Sequence, residues 1–162
     1  MAQPTDVVTR FHQLAWSEGD LDAAAALVDP DLVDHDPMPF PGREPGAAGL
    51  LQVVGMIRSA LPDLRRTIED QVVEGEKVVT RFVDRGTHRA ELLGHPPTGR
   101  VVEVRGINIE TVRDGRIVEV WHLEDVAGLI TQLAAGAFRA PITASETLAR
   151  DAAGGTSGPG SG

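Results

Sequence analysis

The sequence predicts a cone-shaped α+β barrel in which a strongly curved, mixed or antiparallel sheet wraps around N-terminal helices, and three observations predict it. Apolar residues recur at helical spacing through the first part of the chain, and alternating runs rich in β-branched residues replace them from Leu64 onward. Glu74-Gly75-Glu76 and Asp114-Gly115 then punctuate those runs as hairpin turns. Helices first and an antiparallel sheet after them is the α+β order of elements. A sheet curved around helices encloses an apolar interior, which suits a small hydrophobic ligand.

Thr5 to Val28 reads as helix, with Val7, Val8, Phe11, Leu14 and Ala15 on one face, a break at Gly19 and an Ala-rich continuation ended by Asp29-Pro30. Leu32 to Pro37 is a short strand running into the irregular loop MPFPGREPG. Gly46 to Leu61 is helical, with Leu50, Val53, Val54 and Ile57 on its apolar side and Pro62 marking its end. Strands follow at Leu64 to Val73, Lys77 to Thr87, Val101 to Arg113 and Ile117 to Leu123. Asp125 reads as the N-cap of a last short helix carrying Val126, Leu129, Ile130 and Leu133.

At 162 residues the chain is long enough for one domain with a real core. That domain is expected over 1–137, followed by an extension at 138–150 and a Gly/Ser-rich tail at 151–162 that should be disordered. No stretch approaches the roughly 20 apolar residues of a membrane span, and the N-terminus lacks a signal-peptide layout, so the expected location is the cytoplasm. With no cysteine, disulfides and thiolate chemistry are excluded. A net charge of −9 argues against nucleic acid as a partner. The histidines show no metal-ligand spacing, and no Gly-rich nucleotide motif or nucleophile elbow is present.

The last strand carries the chemistry. Alternation puts Val118, Val120 and His122 on one face and Ile117, Glu119, Trp121 and Leu123 on the other. His122 reads as an inward general acid or base, or as a histidine on the outer face. Asn108, on the face of Gly106 and Glu110, reads as an oxyanion donor or as a buried amide satisfied by backbone. Trp16 roofs a cavity or is core. His35 guards a pocket mouth with Asp36 or belongs to a turn, and His88 is equally open. The apolar Ile117, Trp121 and Leu123 face points to a homodimer.

Leu93-Gly94-His95-Pro96-Pro97-Thr98-Gly99-Arg100, Asp114-Gly115-Arg116-Ile117 and Gly128-Leu129-Ile130-Thr131-Gln132-Leu133 resemble segments of the SnoaL-like polyketide cyclases, within the nuclear-transport-factor-2-like or ketosteroid-isomerase-like superfamily. Asp34-His35-Asp36-Pro37 is similar to an early strand end in these proteins, and the resemblance runs from Val7 to about Leu133. It implies a cavity-bearing α+β barrel that closes a polyketide ring by intramolecular aldol condensation without metal or organic cofactor. The family's general acid/base aspartate falls on His122 and its supporting histidine on Asn108, both departures, while the first-helix aromatic is kept as Trp16 and a histidine as His88.

The expected function is therefore a cofactor-independent cyclase. His122 and Asn108 would be its catalytic residues, and Trp16, His35, Val53, His88 and Val120 would bind a small polyketide-like substrate. A hydroxylase, an epoxide hydrolase or isomerase, and a ligand-sequestering domain on the same fold are the alternatives.

Overall fold

Five strands form one sheet in the order β1-β5-β4-β3-β2, built from β1 (Val28–Asp34), β2 (Arg65–Glu74), β3 (Lys77–Thr87), β4 (Val101–Arg113) and β5 (Arg116–Glu124). All pairings are antiparallel except β1 with β5, so the sheet is mixed; it stays open, with β1 and β2 as its edges. The structure is a computed structural model and describes residues 2–134. The close of the expected 1–137 domain, the 138–150 extension and the 151–162 tail lie outside the described residues.

The N-terminal helix is shorter and more broken than its periodicity predicts. α1 (Pro4–His12) runs into a π-helical segment, Gln13–Glu18, and α2 spans only Leu21–Ala25. The break falls at Gly19, whose φ of +77° closes the π turn at no steric cost. Val28, expected to end the helix, instead opens β1. Pairing with β5 overrides local propensity there, since Ile117 N–H donates to the Leu27 carbonyl at 2.9 Å. Pro30 is tolerated because β1 is an edge strand whose register jumps between Val28 and Val33.

The second half keeps close to its pattern. α3 (Gly46–Ala60) precedes the β2–β3 and β4–β5 hairpins, and the latter turns on Asp114 and Gly115, with φ of +49° and +76°. α4 (Val126–Ala134) starts on Asp125, whose Oδ1 accepts the Gly128 N–H at 2.8 Å. Gln132 then fastens this helix to β4: its side-chain amide exchanges hydrogen bonds with the backbone of Glu103 at 2.8 and 2.7 Å.

Two bulges decide which side chains face inward. The β4–β5 register shifts between Thr111 and Val112, so Ile117 and Val120 both turn to the interior although they are three positions apart. This corrects the expected outer face, from which Ile117 is removed: it is buried against the core. The β2–β3 register shifts in the same way between Ile68 and Asp70. Val8, Ala15, Val54, Leu64 and Phe82 are fully enclosed between helices and sheet. Burial of each larger one of these side chains is worth about 1.5–3 kcal/mol.

Candidate active site

Between the helices and the concave face of the sheet lies a cavity of ≈ 90 Å³. Its wall is largely apolar, with Phe11 and Trp16 from the N-terminal segment, Leu50, Val53 and Ile57 from α3, and Val120 from β5. Trp16, Val53 and Val120, three of the expected binding residues, all line it. Sites for drug-sized ligands usually span roughly 300–1,000 Å³, so the cavity as it stands is smaller than a multi-ring ligand; the loop residues Met38, Leu92 and Leu93 complete its wall.

His122 faces this cavity, directly across the β4–β5 ladder from Asn108. Its Nε2 lies 3.0 Å from Asp34 Oδ1 and its Nδ1 3.1 Å from Glu124 Oε2. These two hydrogen bonds, Asp34's first and Glu124's second, hold the imidazolium against the cost of burial and push its pKa up to about 10. A ring that donates from both nitrogens has no lone pair to take a substrate proton. The site thus favours the imidazolium, the acid form of the expected general acid or base. Burial disfavours the Asp34 carboxylate, but hydrogen bonds from His122 and from Arg43 at 2.6 Å outweigh it and hold its pKa below the usual value.

A second polar pair sits deeper. His12 Nε2 and Glu110 Oε1 are 2.6 Å apart, and both side chains are almost wholly buried. Asn108 Nδ2 donates to the same Glu110 Oε1 at 3.2 Å, while Thr80 Oγ1 lies 3.4 Å from Oε2. Asn108 therefore links the two clusters, one through its amide and the other across the strand ladder. No group of three or more His, Asp or Glu side chains among the described residues is arranged to hold a metal ion.

Two expected binding residues stand elsewhere. His35 lies outside the cavity wall, its ring stacked 3.8 Å from that of Trp121 and its Nε2 2.9 Å from Glu119 Oε1. The outward phase of Trp121 after the bulge draws His35 there. His88 is fully buried and also outside the wall; its Nδ1 accepts the Thr98 N–H at 3.2 Å, pinning the 88–100 loop that carries Leu92 and Leu93.

Sequence reasoning did not single out His12, Asp34, Glu110 or Glu124 as site residues. Glu110 left a trace, a charge on the inward phase of Gly106 and Asn108. His12 left another, next to Phe11 on the apolar side of α1.

The SnoaL-like polyketide cyclase family matches residues 6–133, and the chain belongs to that family. IdmH from Streptomyces antibioticus, a proposed polyketide cyclase, is 36% identical, with a TM-score of 0.72 over 82% of this chain and 99% of that one. TsrD from Streptomyces laurentii is 30% identical, with a TM-score of 0.71 over 82% and 96% of the two chains. A proposed polyketide cyclase from Bacillus cereus is 31% identical, with a TM-score of 0.68 over 81% and 80%. No curated protein matches the chain significantly.

Proposed function

We propose that this protein is a polyketide cyclase that closes a ring by intramolecular aldol addition, using only its own side chains. The observation that carries the reading is the pair of acid–base clusters, His12–Glu110 and Asp34–His122–Glu124, that bracket Asn108 in one apolar cavity. Glu110 Oε2, which meets only the Thr80 hydroxyl at 3.4 Å while Oε1 is held by His12 and Asn108, takes the proton from a carbon between two carbonyls. The resulting enolate carbon attacks a ketone carbonyl of the same molecule, forming the new C–C bond. The ketone oxygen becomes an alkoxide, stabilised by the His122 cation and protonated by it as one ring N–H turns from its carboxylate partner to the alkoxide. Asn108 holds the enolate oxygen through the second hydrogen of its amide. Proton loss to Glu110 and proton gain from His122 cancel in the substrate, so no oxidant or reductant is consumed; after product release Glu110 gives its proton up to water and His122 regains one, which resets the site.

The test is incubation of the purified protein with an aromatic polyketide bearing a free side-chain ketone and an activated methylene. Ring closure, read by chromatography and mass spectrometry as the isomeric aldol or the product lighter by one water, supports the reading. Glu110→Gln and His122→Gln should each keep ligand binding and lower turnover about 100-fold or more. Binding without turnover by the wild type would instead mark a ligand-sequestering domain.

A further inference from the structure

The opposite side of the cavity holds a charged group that the cyclisation does not use. Arg66, on β2, lines the cavity, and its side chain is 1% exposed. Its Nε donates to Asp84 Oδ1 at 2.7 Å and its Nη2 to Asp84 Oδ2 at 2.6 Å, a bidentate pair that fixes the guanidinium plane. Two aromatic rings grip that plane as well, Trp16 at 3.9 Å and Phe82 at 3.5 Å from its central carbon. The Arg66 backbone is held in turn, its N–H donating to Ser17 Oγ at 3.0 Å.

One nitrogen is left over. Arg66 Nη1 is shut from solvent and has no hydrogen-bond partner among the described residues. A guanidinium nitrogen can only donate, and a buried donor without an acceptor costs about 1–3 kcal/mol. A rigid, oriented, unsatisfied donor in the wall of a ligand cavity is arranged to meet an acceptor on the ligand.

We propose that Arg66 Nη1 anchors a carbonyl oxygen of the substrate, with Asp84 as the positioning residue that aims it. Arg66 stands two strands across and four residues along from Asn108, about 16 Å by strand spacing and rise, so the anchored oxygen belongs to a part of the ligand remote from the reacting carbons. The acceptor is neutral rather than anionic. Asp34, Asp84, Glu110 and Glu124 outnumber Arg66 and His122 in the cavity wall, and Asp84 already neutralises the guanidinium.

The inference rests on the cavity being the substrate site, and its test needs no turnover. Fluorenone, fluorene and fluorene-9-carboxylate share one flat frame and differ in carrying a carbonyl, no oxygen, or an anion. Their affinities follow from quenching of tryptophan fluorescence. The wild type should bind fluorenone about tenfold tighter than fluorene, and tighter than the carboxylate.

Arg66→Met with Asp84→Leu removes the whole ion pair without leaving a buried charge; it should bind fluorenone and fluorene alike, at the wild-type affinity for fluorene. Arg66→Lys keeps a cation beside Asp84 but lacks the third nitrogen, and it too should lose the preference, which covers the case of a double variant that does not fold. Arg113→Gln, an exposed change outside the cavity wall, should retain the preference. A wild type that binds none of the probes, or favours fluorene or the carboxylate, overturns the proposal. So does a preference that survives in either Arg66 variant or disappears in Arg113→Gln. Failure of ring closure with a retained Arg66-dependent preference would sink the cyclase reading and leave this one standing.

Discussion

His122 Nε2 lies 3.0 Å from Asp34 Oδ1, a hydrogen bond between β5 and the edge strand β1 that places a cation and an anion together in the cavity wall. Arg43 meets the same aspartate through Oδ2 at 2.6 Å, and Glu124 meets the other nitrogen of the histidine. The charge of His122 is thus held by carboxylates from two strands, Asp34 of β1 and Glu124 of β5.

That charge has a pH signature. The folded-state pKa of His122 lies near 10, above its ordinary value of 6.5, so the stabilisation is fully present below about pH 6.5 and is lost as pH rises through about 10. Thermal unfolding of the wild type should show a falling melting temperature over that alkaline range, with a much flatter profile in His122→Gln. Turnover should fall over the same range. A rise in turnover through pH 6–7 would mark a neutral imidazole base instead.

Asp34→Asn should destabilise the protein by about 3 kcal/mol in urea unfolding, because it leaves His122 and Arg43 with a neutral partner. It should also lower the His122 pKa, read from the imidazole resonances in an NMR titration. In the wild type the depressed Asp34 pKa makes the sign opposite to that of His122: its contribution is present above about 3.8 and is lost as pH falls through the folded value.

The His12–Glu110 pair should show strong coupling. Replacing His12 by Leu leaves a buried carboxyl without its 2.6 Å partner, at a cost of about 3 kcal/mol or more. His12→Leu with Glu110→Leu should cost less than the two single changes added together. A double-mutant cycle by chemical denaturation measures the difference, and additive effects would show that the pair is not coupled.

Ile107 and Leu123 are cross-strand partners on the outer face of the sheet, 47% and 78% exposed. With Ile117 turned inward, Trp121 and Leu123 are what remains of the apolar strip that points to a homodimer, and Ile107 extends it across the ladder. Light scattering at micromolar concentration should give a dimer mass, and Leu123→Glu should shift it to the monomer without lowering the yield of folded protein.

Alternation and turn chemistry were sufficient to read β3 and β4 to the residue, the two hairpins, the inward phase of Asn108 and the Asp125 cap, because each depends on neighbours close in the chain. Membership in the family was legible in loop and helix motifs with local tasks, such as Gln132 fastening α4 to Glu103. The partners in the site were not legible, because one-residue bulges set them. In an unbroken β4–β5 hairpin register Asn108 would face Trp121, and in an unbroken β2–β3 register Arg66 would face Arg85. The shifts at Thr111/Val112 and Ile68/Asp70 place His122 and Asp84 there instead. His12 reaches Glu110, and Asp34 reaches His122, only after α1 and β1 dock on the sheet. The sequence by itself determined the elements and the cavity's apolar character. Tertiary packing decided which charges meet inside it, since a polar group excluded from water must find its partner wherever the fold brings one.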